Sequence, residues 1–183
     1  MEQTNFRNSF MDLNKPYFWT STINKWKHLL KDDKHKDILI ESLQWLKNHK
    51  LMAIYGFTIM PNHVHFLWEQ LQMNGKEYPK GSFEKFTAHK LQHSLRSSNI
   101  TLLKEFENST YDRKYNFWQR DPLAIEILSR EMAIQKLDYM HNNPLQEHWR
   151  LACDLTRYKY SSASYYETGK DEFNMLTHFM DRF

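Results

Sequence analysis

The run LMAIYGFTIMPNHVHFLWEQL, residues 51–71, decides the fold. Residues 51–60 are apolar, with aromatic and β-branched members, the profile of a buried strand. Pro61-Asn62 is a turn pair, and residues 63–71 return as a second strand. So short a turn forces antiparallel pairing, because a parallel return needs a crossover of a dozen residues or more.

Working outward, PYFWTSTI (16–23) has the aromatic and β-branched profile of another strand. Residues 31–50 place Ile38, Leu39, Leu43 and Leu46 at helical spacing, with Asp33 or Asp37 able to cap the start and Lys47 and Lys50 suited to the end. Residues 82–98 predict a second helix, with Ser82 as N-cap and Phe83, Phe86, Leu91 and Leu95 roughly on one side. Residues 99–116 show no clear pattern, and FWQRDPLAIEIL (117–128) reads as a loop feeding a short strand. Ser129 caps a third helix that Pro144 stops, since a residue before proline disfavours the helical region. The tail from Arg157 is irregular and aromatic. The order is strand, helix, strand, strand, helix, weak strand, helix. This predicts an α+β fold, with helices on one face of a small antiparallel sheet. Residues 1–14 are polar and are expected to form a flexible arm, leaving residues 15–183 as a single domain.

Composition narrows the function. With 183 residues the chain can bury one core, and 4 Gly and 5 Pro argue against disorder. Aromatics reach 15%, enough to build a core and leave rings for stacking on something flat. A net charge of +3 permits a nucleic-acid partner without demanding one. The lone Cys153 excludes an internal disulfide and reads as a plain buried thiol in a reducing compartment. No signal-peptide core and no membrane-length apolar run is present, so a cytoplasmic protein with no membrane partner is expected.

Two patterns carry chemistry. Residues i and i+2 of a strand share a face, so His63 and His65 project together while Val64 turns to the core. Two neutral imidazoles side by side can share one cation, or can be two surface histidines with no ligand. Far downstream, LDYMHNNP (137–144) ends the third helix, with Tyr139 and Asn143 four apart on one face of its last turn. An amide oxygen suits a hard divalent ion. Two imidazoles and one amide oxygen would leave open positions, as a catalytic metal requires. The plainer account makes Asn143-Pro144 a helix stop and Tyr139 a core-edge ring.

Taken together, MPNHVHFLW (60–68), FWQRD (117–121), LDYMHNNP (137–144) and YKYSSASYY (158–166) resemble the REP-associated tyrosine transposases, within the HUH single-tyrosine group. The resemblance covers most of the chain. It implies a ferredoxin-like, RRM-like antiparallel sheet with the catalytic tyrosine on a C-terminal helix. It also implies Mg²⁺ or Mn²⁺ held by His63, His65 and Asn143, and Tyr139 as nucleophile on single-stranded or hairpin DNA. The product would be a 5′-phosphotyrosine link and a free 3′-OH. Members act as monomers or homodimers. His141 lies off the tyrosine's helix face and is a poor general base. Lys85, Lys90, Arg96, Arg113, Lys114 and Arg120 are candidates to neutralise DNA phosphates, and Trp118 to stack on a base. Two other readings stay open. One is a DNA-binding module without chemistry. The other is a zinc hydrolase using His63, His65 and His89 or His93, for which Glu69 would be the nearest carboxylate base.

Overall fold

The computed structural model describes residues 9–108 and 114–183. Four strands form one sheet: β1 (Pro16–Thr22), β2 (Met52–Ile59), β3 (His63–Gln70) and β4 (Leu123–Glu126), in spatial order β2-β3-β1-β4. Every neighbouring pair is antiparallel. Helix α1 (Asp33–Asn48) links β1 to β2, while α2 (Pro79–Ser98) and the short α3 (Ile100–Lys104) lie between β3 and β4. Because β1 and β2 both run against β3, they are parallel to each other with β3 between them. The same holds for β3 and β4 about β1. Two interleaved split βαβ units result, the ferredoxin-like arrangement. Helix α4 (Arg130–Asn142) and α5 (Ala163–Thr168) follow.

Strand alternation sorts the core into two layers. Trp19, Phe57, Val64, Phe66 and Trp68 face one side, where Leu39 and Leu43 of α1 and Phe83, Leu91 and Leu95 of α2 meet them. The Phe83 ring stands edge-on to Trp19, Phe66 and Trp68 at 6.1, 5.4 and 5.7 Å. Edge-to-face contacts of this kind are favoured by the ring quadrupole. Phe18, Tyr55 and Leu67 face the other side and pack on Ala133, Leu137 and Met140 of α4, and on Phe179. The tyrosine helix thus lies across the sheet from α1 and α2.

A β-bulge lets α4 come close. Ile54 pairs with Trp68 and Gly56 with Leu67, leaving Tyr55 as the extra residue of β2. A Cβ on Gly56 would meet Leu137 Cδ2 at 2.5 Å and Met140 Cε at 2.8 Å. Glycine therefore marks a close approach of strand and helix.

Several local expectations change. Asp32, not Asp33 or Asp37, caps α1 by accepting from the Lys34 amide. Helix α2 begins three residues before Ser82, with Pro79 in its first turn, where its missing N–H costs nothing. Ser82 instead bonds Glu77 and Asn74. Residues 1–8 of the expected arm lie outside the described residues, and residues 9–14 are no free arm. Met11 is buried, its carbonyl accepts from Gln70 Nε2 at 2.9 Å, and the Asn14 amide donates to Gln70 O at 2.7 Å. Cys153 is exposed, because it sits in a surface turn beyond α4 rather than in an element with a core face. The tail is more than irregular: it covers the outer edge of β2, through Ile59 N to Tyr160 O, Ser162 N to Phe57 O and Thr177 N to Ile54 O. Covering an edge removes a template for unwanted strand pairing. Among the described residues no helix is long and apolar enough to cross a membrane.

Gly56→Val places branched carbons where Leu137 and Met140 already sit. Overpacking of this kind costs about 1–3 kcal/mol. Urea unfolding should show that loss, whereas an unchanged midpoint would mean that α4 does not depend on the gap at Gly56.

Candidate metal and tyrosine site

The alternation of β3 sends His63, His65, Leu67 and Glu69 to the α4 side and buries Val64 on the other. The two imidazole centroids are 4.8 Å apart, with the rings at 78°. Each ring is held through Nδ1. His63 Nδ1 lies 2.7 Å from Asn62 Oδ1, and His65 Nδ1 lies 2.8 Å from Thr20 Oγ1. An amide oxygen only accepts, so neutral His63 carries its proton on Nδ1 and keeps a lone pair on Nε2. Orienting partners on the second nitrogen are the usual support of metal-ligating histidines. Thr20 is the register partner of His65 across β1 and β3.

Helix α4 brings the second half of the site. Ser129 caps its start by accepting from the Met132 amide. Its apolar side, Ala133, Leu137 and Met140, seats it on the sheet, and Thr58 Oγ1 donates to Met140 O at 3.0 Å. That carbonyl also accepts from the Asn143 amide, so Thr58 supplies it with a second donor. This seating places the Asn143 amide nitrogen 2.9 Å from His65 Nε2. The Tyr139 ring stands edge-on to His65 at 5.4 Å and to Phe18 at 6.0 Å, and the residue is 54% exposed. His141 points away and bonds Ser162 Oγ at 2.8 Å through Nε2, which accounts for its lack of a role beside Tyr139.

The donor set fits a divalent cation. Neighbouring ligands of an octahedral ion with bonds of about 2.0–2.1 Å are roughly 2.9–3.0 Å apart. The 2.9 Å between His65 Nε2 and the Asn143 amide matches that spacing. Turning the amide over exchanges its nitrogen for Oδ1 at the same place. Electrostatics agree. Burial, aided by the nearby His148, lowers the pKa of His63 to about 4. Burial, with help from His63 and Lys136, lowers that of His65 to about 3. Both rings are therefore neutral near pH 7, the form that binds metal.

The zinc-hydrolase set does not assemble. Among the described residues, no group of three or more His, Cys, Asp or Glu is placed to hold a metal. His89 and His93 are exposed on α2, across the sheet from His65. Glu69 is engaged by Tyr55 OH at 2.7 Å and Arg182 Nε at 2.8 Å, so it is not a spare base.

The DNA-contact candidates divide. A groove of about 640 Å³ between α2 and residues 114–122 gathers Lys85, Lys114 and Arg120, together with Lys80 and His89, but also Glu84 and Asp121, and Lys85 is paired with Glu77. Lys90 and Arg96 are exposed on α2 outside that groove, Lys90 near Glu41 at 3.7 Å. Trp118 is not a stacking platform. It is 6% exposed, packs on Phe83 and donates from Nε1 to Thr87 Oγ1 at 3.1 Å. The β-bridge between Ile23 and Trp118 turns it into the core. Arg113 lies outside the described residues.

Three contributors escaped the sequence reading. Thr20 could be found only from strand register, and Asn62 looked like a turn residue alone. Lys136 stands three residues before Tyr139, a spacing that already put both on one helix face. Its ammonium lies 5.3 Å from the Phe18 ring that Tyr139 also touches.

Burial also lowers His141 to about 4. All three histidines start from an ordinary value of 6.5. Below that pH the unfolded chain takes up protons that the folded one refuses, so stability falls as pH drops from 6.5 toward 4. Each contributes a slope of at most about 1.4 kcal/mol per pH unit. Metal-free protein should unfold at clearly lower urea concentration at about pH 4.5 than at pH 7.5, and a His141→Gln variant should flatten the difference. Equal midpoints would contradict the burial of neutral rings.

No protein-family profile matches the chain, and no curated protein does. Solved structures do. The structure of a REP-associated tyrosine transposase bound to a REP hairpin superposes with a TM-score of 0.59, at 15% identity, over 93% of this chain and 90% of that one. A Deinococcus radiodurans protein provisionally assigned as a transposase gives 0.42 at 17% identity, over 74% of this chain and 95% of that one. Over nearly its whole length, the chain shares the fold of a REP-associated tyrosine transposase.

Proposed function

We propose that this protein is a metal-dependent single-stranded DNA transposase that cuts and rejoins DNA through Tyr139. The observation that carries the reading is a convergence. Asn143 of the α4 terminus meets His65 of β3 at 2.9 Å, and Tyr139 stands beside the same imidazole. Residues 78 positions apart in sequence thus build one site. The fold likeness adds support, since that neighbour is a tyrosine transposase and holds a REP hairpin. Hairpin DNA with a single-stranded part is accordingly our proposed substrate, met in the cytoplasm.

His63, His65 and Asn143 would hold Mg²⁺ or Mn²⁺, which supplies Lewis-acid polarisation of the scissile phosphate and offsets its charge. The Tyr139 oxygen attacks phosphorus and the P–O3′ bond breaks. The phenol proton passes to solvent, and the departing 3′ oxygen takes one up. A 5′-phosphotyrosine and a free 3′-OH result. One phosphodiester replaces another, so the same hydroxyl or that of a second strand can reverse the step without ATP. Exposure of Tyr139 leaves its ring open to a phosphate, and Lys136 adds positive charge beside it. The groove that holds Lys114 and Arg120 would offer phosphate contacts away from the cut.

The test is a covalent-adduct assay with labelled hairpin DNA and Mn²⁺, read after denaturation in detergent. A DNA–protein band lost in Tyr139→Phe, in His63→Ala and with a chelator is expected. Cleavage that survives Tyr139→Phe would overturn the assignment, and binding without cleavage or adduct would leave a DNA-binding module. Thr20→Val removes the Nδ1 partner of His65. It should weaken Mn²⁺ binding about 10- to 100-fold in calorimetry, with the adduct recovered at high Mn²⁺. An unaltered affinity would remove Thr20 from the site.

A further inference from the structure

The loop after α4 carries an indole that the chemistry above does not use. Asn143–Leu145 form a tight 3₁₀ turn. The Gln146 amide donates to Asn143 O at 3.2 Å, and the Leu151 amide to Pro144 O at 2.9 Å. The amides of Trp149 and Arg150 both donate to Gln146 O, at 2.8 and 2.9 Å. Backbone bonds therefore make residues 143–151 one unit. Within it Arg150 holds φ at 46°, the left-handed region that a non-glycine side chain rarely adopts. Asn14, Lys25, Trp26, Lys50, Asp121 and Asn174 share that region, so it describes the turn and does not by itself mark a ligand site.

This unit straddles both histidines. Asn143 at its start meets His65, and the Trp149 ring near its end lies 5.9 Å from the His63 ring. Trp149 also neighbours His28 at 5.6 Å and His148 at 5.4 Å. The three imidazoles are tilted against the indole by 50°, 45° and 48°, so none of them lies flat on it. Trp19, Trp68 and Trp118 are core rings and Trp26 and Trp45 are exposed, whereas Trp149 is partly buried, belongs to neither core layer and is set apart by its ring contact with His63. A large, partly exposed ring beside three imidazoles, with its backbone tied to Asn143, is placed for a flat ligand.

We propose that Trp149 is the stacking platform for the nucleobase adjoining the phosphate that faces His63, His65 and Asn143. The proposal rests on the DNA strand-transfer reading for the identity of the ligand. Aromatic stacking tolerates any base, because every base has a π-face. Trp149 would therefore fix where the strand lies, not which sequence is cut. The indole would hold the base beside His63, and the attached phosphate would then reach the metal ligands within one nucleotide. Its link to Asn143 through the 143–151 unit makes the stacking surface and the third ligand move together.

The experiment measures binding of a short fluorescein-labelled oligothymidine by anisotropy. The parent is Tyr139→Phe, so that cleavage cannot intervene. Adding Trp149→Ala should weaken binding about ten- to a hundredfold, and Trp149→Phe should restore most of it. The salt dependence should keep its slope, since no phosphate contact is lost. A matched strand of abasic units, which keeps the phosphates and lacks bases, should bind the parent and Trp149→Ala alike. A purely structural role would also disturb Asn143, so Mn²⁺ affinity is measured on each variant and is expected to be unchanged. Equal oligothymidine affinity in Trp149→Ala, an equal loss on the abasic strand, a parallel loss of Mn²⁺ affinity, or a parent that binds no strand would each overturn the proposal. The two readings separate. A Tyr139-dependent adduct with no Trp149 effect removes only the platform. Trp149-dependent binding with no adduct removes only the strand-transfer reading.

Discussion

The candidate site exists because α4 sits close against the second face of the sheet. That seating rests on the bulge at Tyr55 and Gly56, where the missing side chain of Gly56 is filled by Leu137 and Met140. Thr58 and Ser162 complete it with polar contacts, Thr58 to the Met140 carbonyl and Ser162 to His141. A hydrogen-bond contact of 2.9 Å tolerates little error, so a helix displaced by an ångström would separate Asn143 from His65. The meeting of Asn143 and His65 therefore depends on the apolar packing of Leu137 and Met140 earlier in the same helix.

The two faces of the sheet divide the labour. Trp19, Phe66, Trp68 and Phe83 interlock beneath α1 and α2 and bury their rings completely. The opposite face has a smaller apolar layer and carries the polar residues: Thr20, Thr58, His63, His65 and Glu69. Thr20, Thr58, His65 and Glu69 have partners supplied by other elements, while His63 is held by Asn62 of the adjoining turn. A rigid first layer lets the second hold its imidazoles in fixed rotamers, the preorganisation that the proposed cation site would need. Neutrality of the rings follows from the same burial.

The tail contributes more than an ending. Tyr160, Ser162 and Thr177 extend the hydrogen bonding of β2, and Arg182 closes on Glu69. That pairing removes the carboxylate that a hydrolase would have used as a base. It also fixes the end of β3 remote from the histidines. The docking of residues 9–14 at Gln70 secures that same end.

Much of this was legible in the chain. The apolar hairpin at 51–71, the helical spacing in 31–50 and the Ser129 cap gave element types and order, because these are local properties of side chains and backbone. Strand period alone put His63 and His65 on one face, and helix period put Tyr139 with Asn143. Helix starts were less legible: Asp32 and Pro79 outcompeted Asp33 and Ser82 through backbone geometry that spacing does not encode. Trp118 looked like a free ring and is a core ring, since one β-bridge to Ile23 turns it inward. What only tertiary structure decided is which face α4 covers, which strand neighbours orient the imidazoles, and that the loop of Trp149 returns to His63. Those are distances between residues far apart in the chain, set by register, by a bulge and by how closely a glycine lets a helix approach.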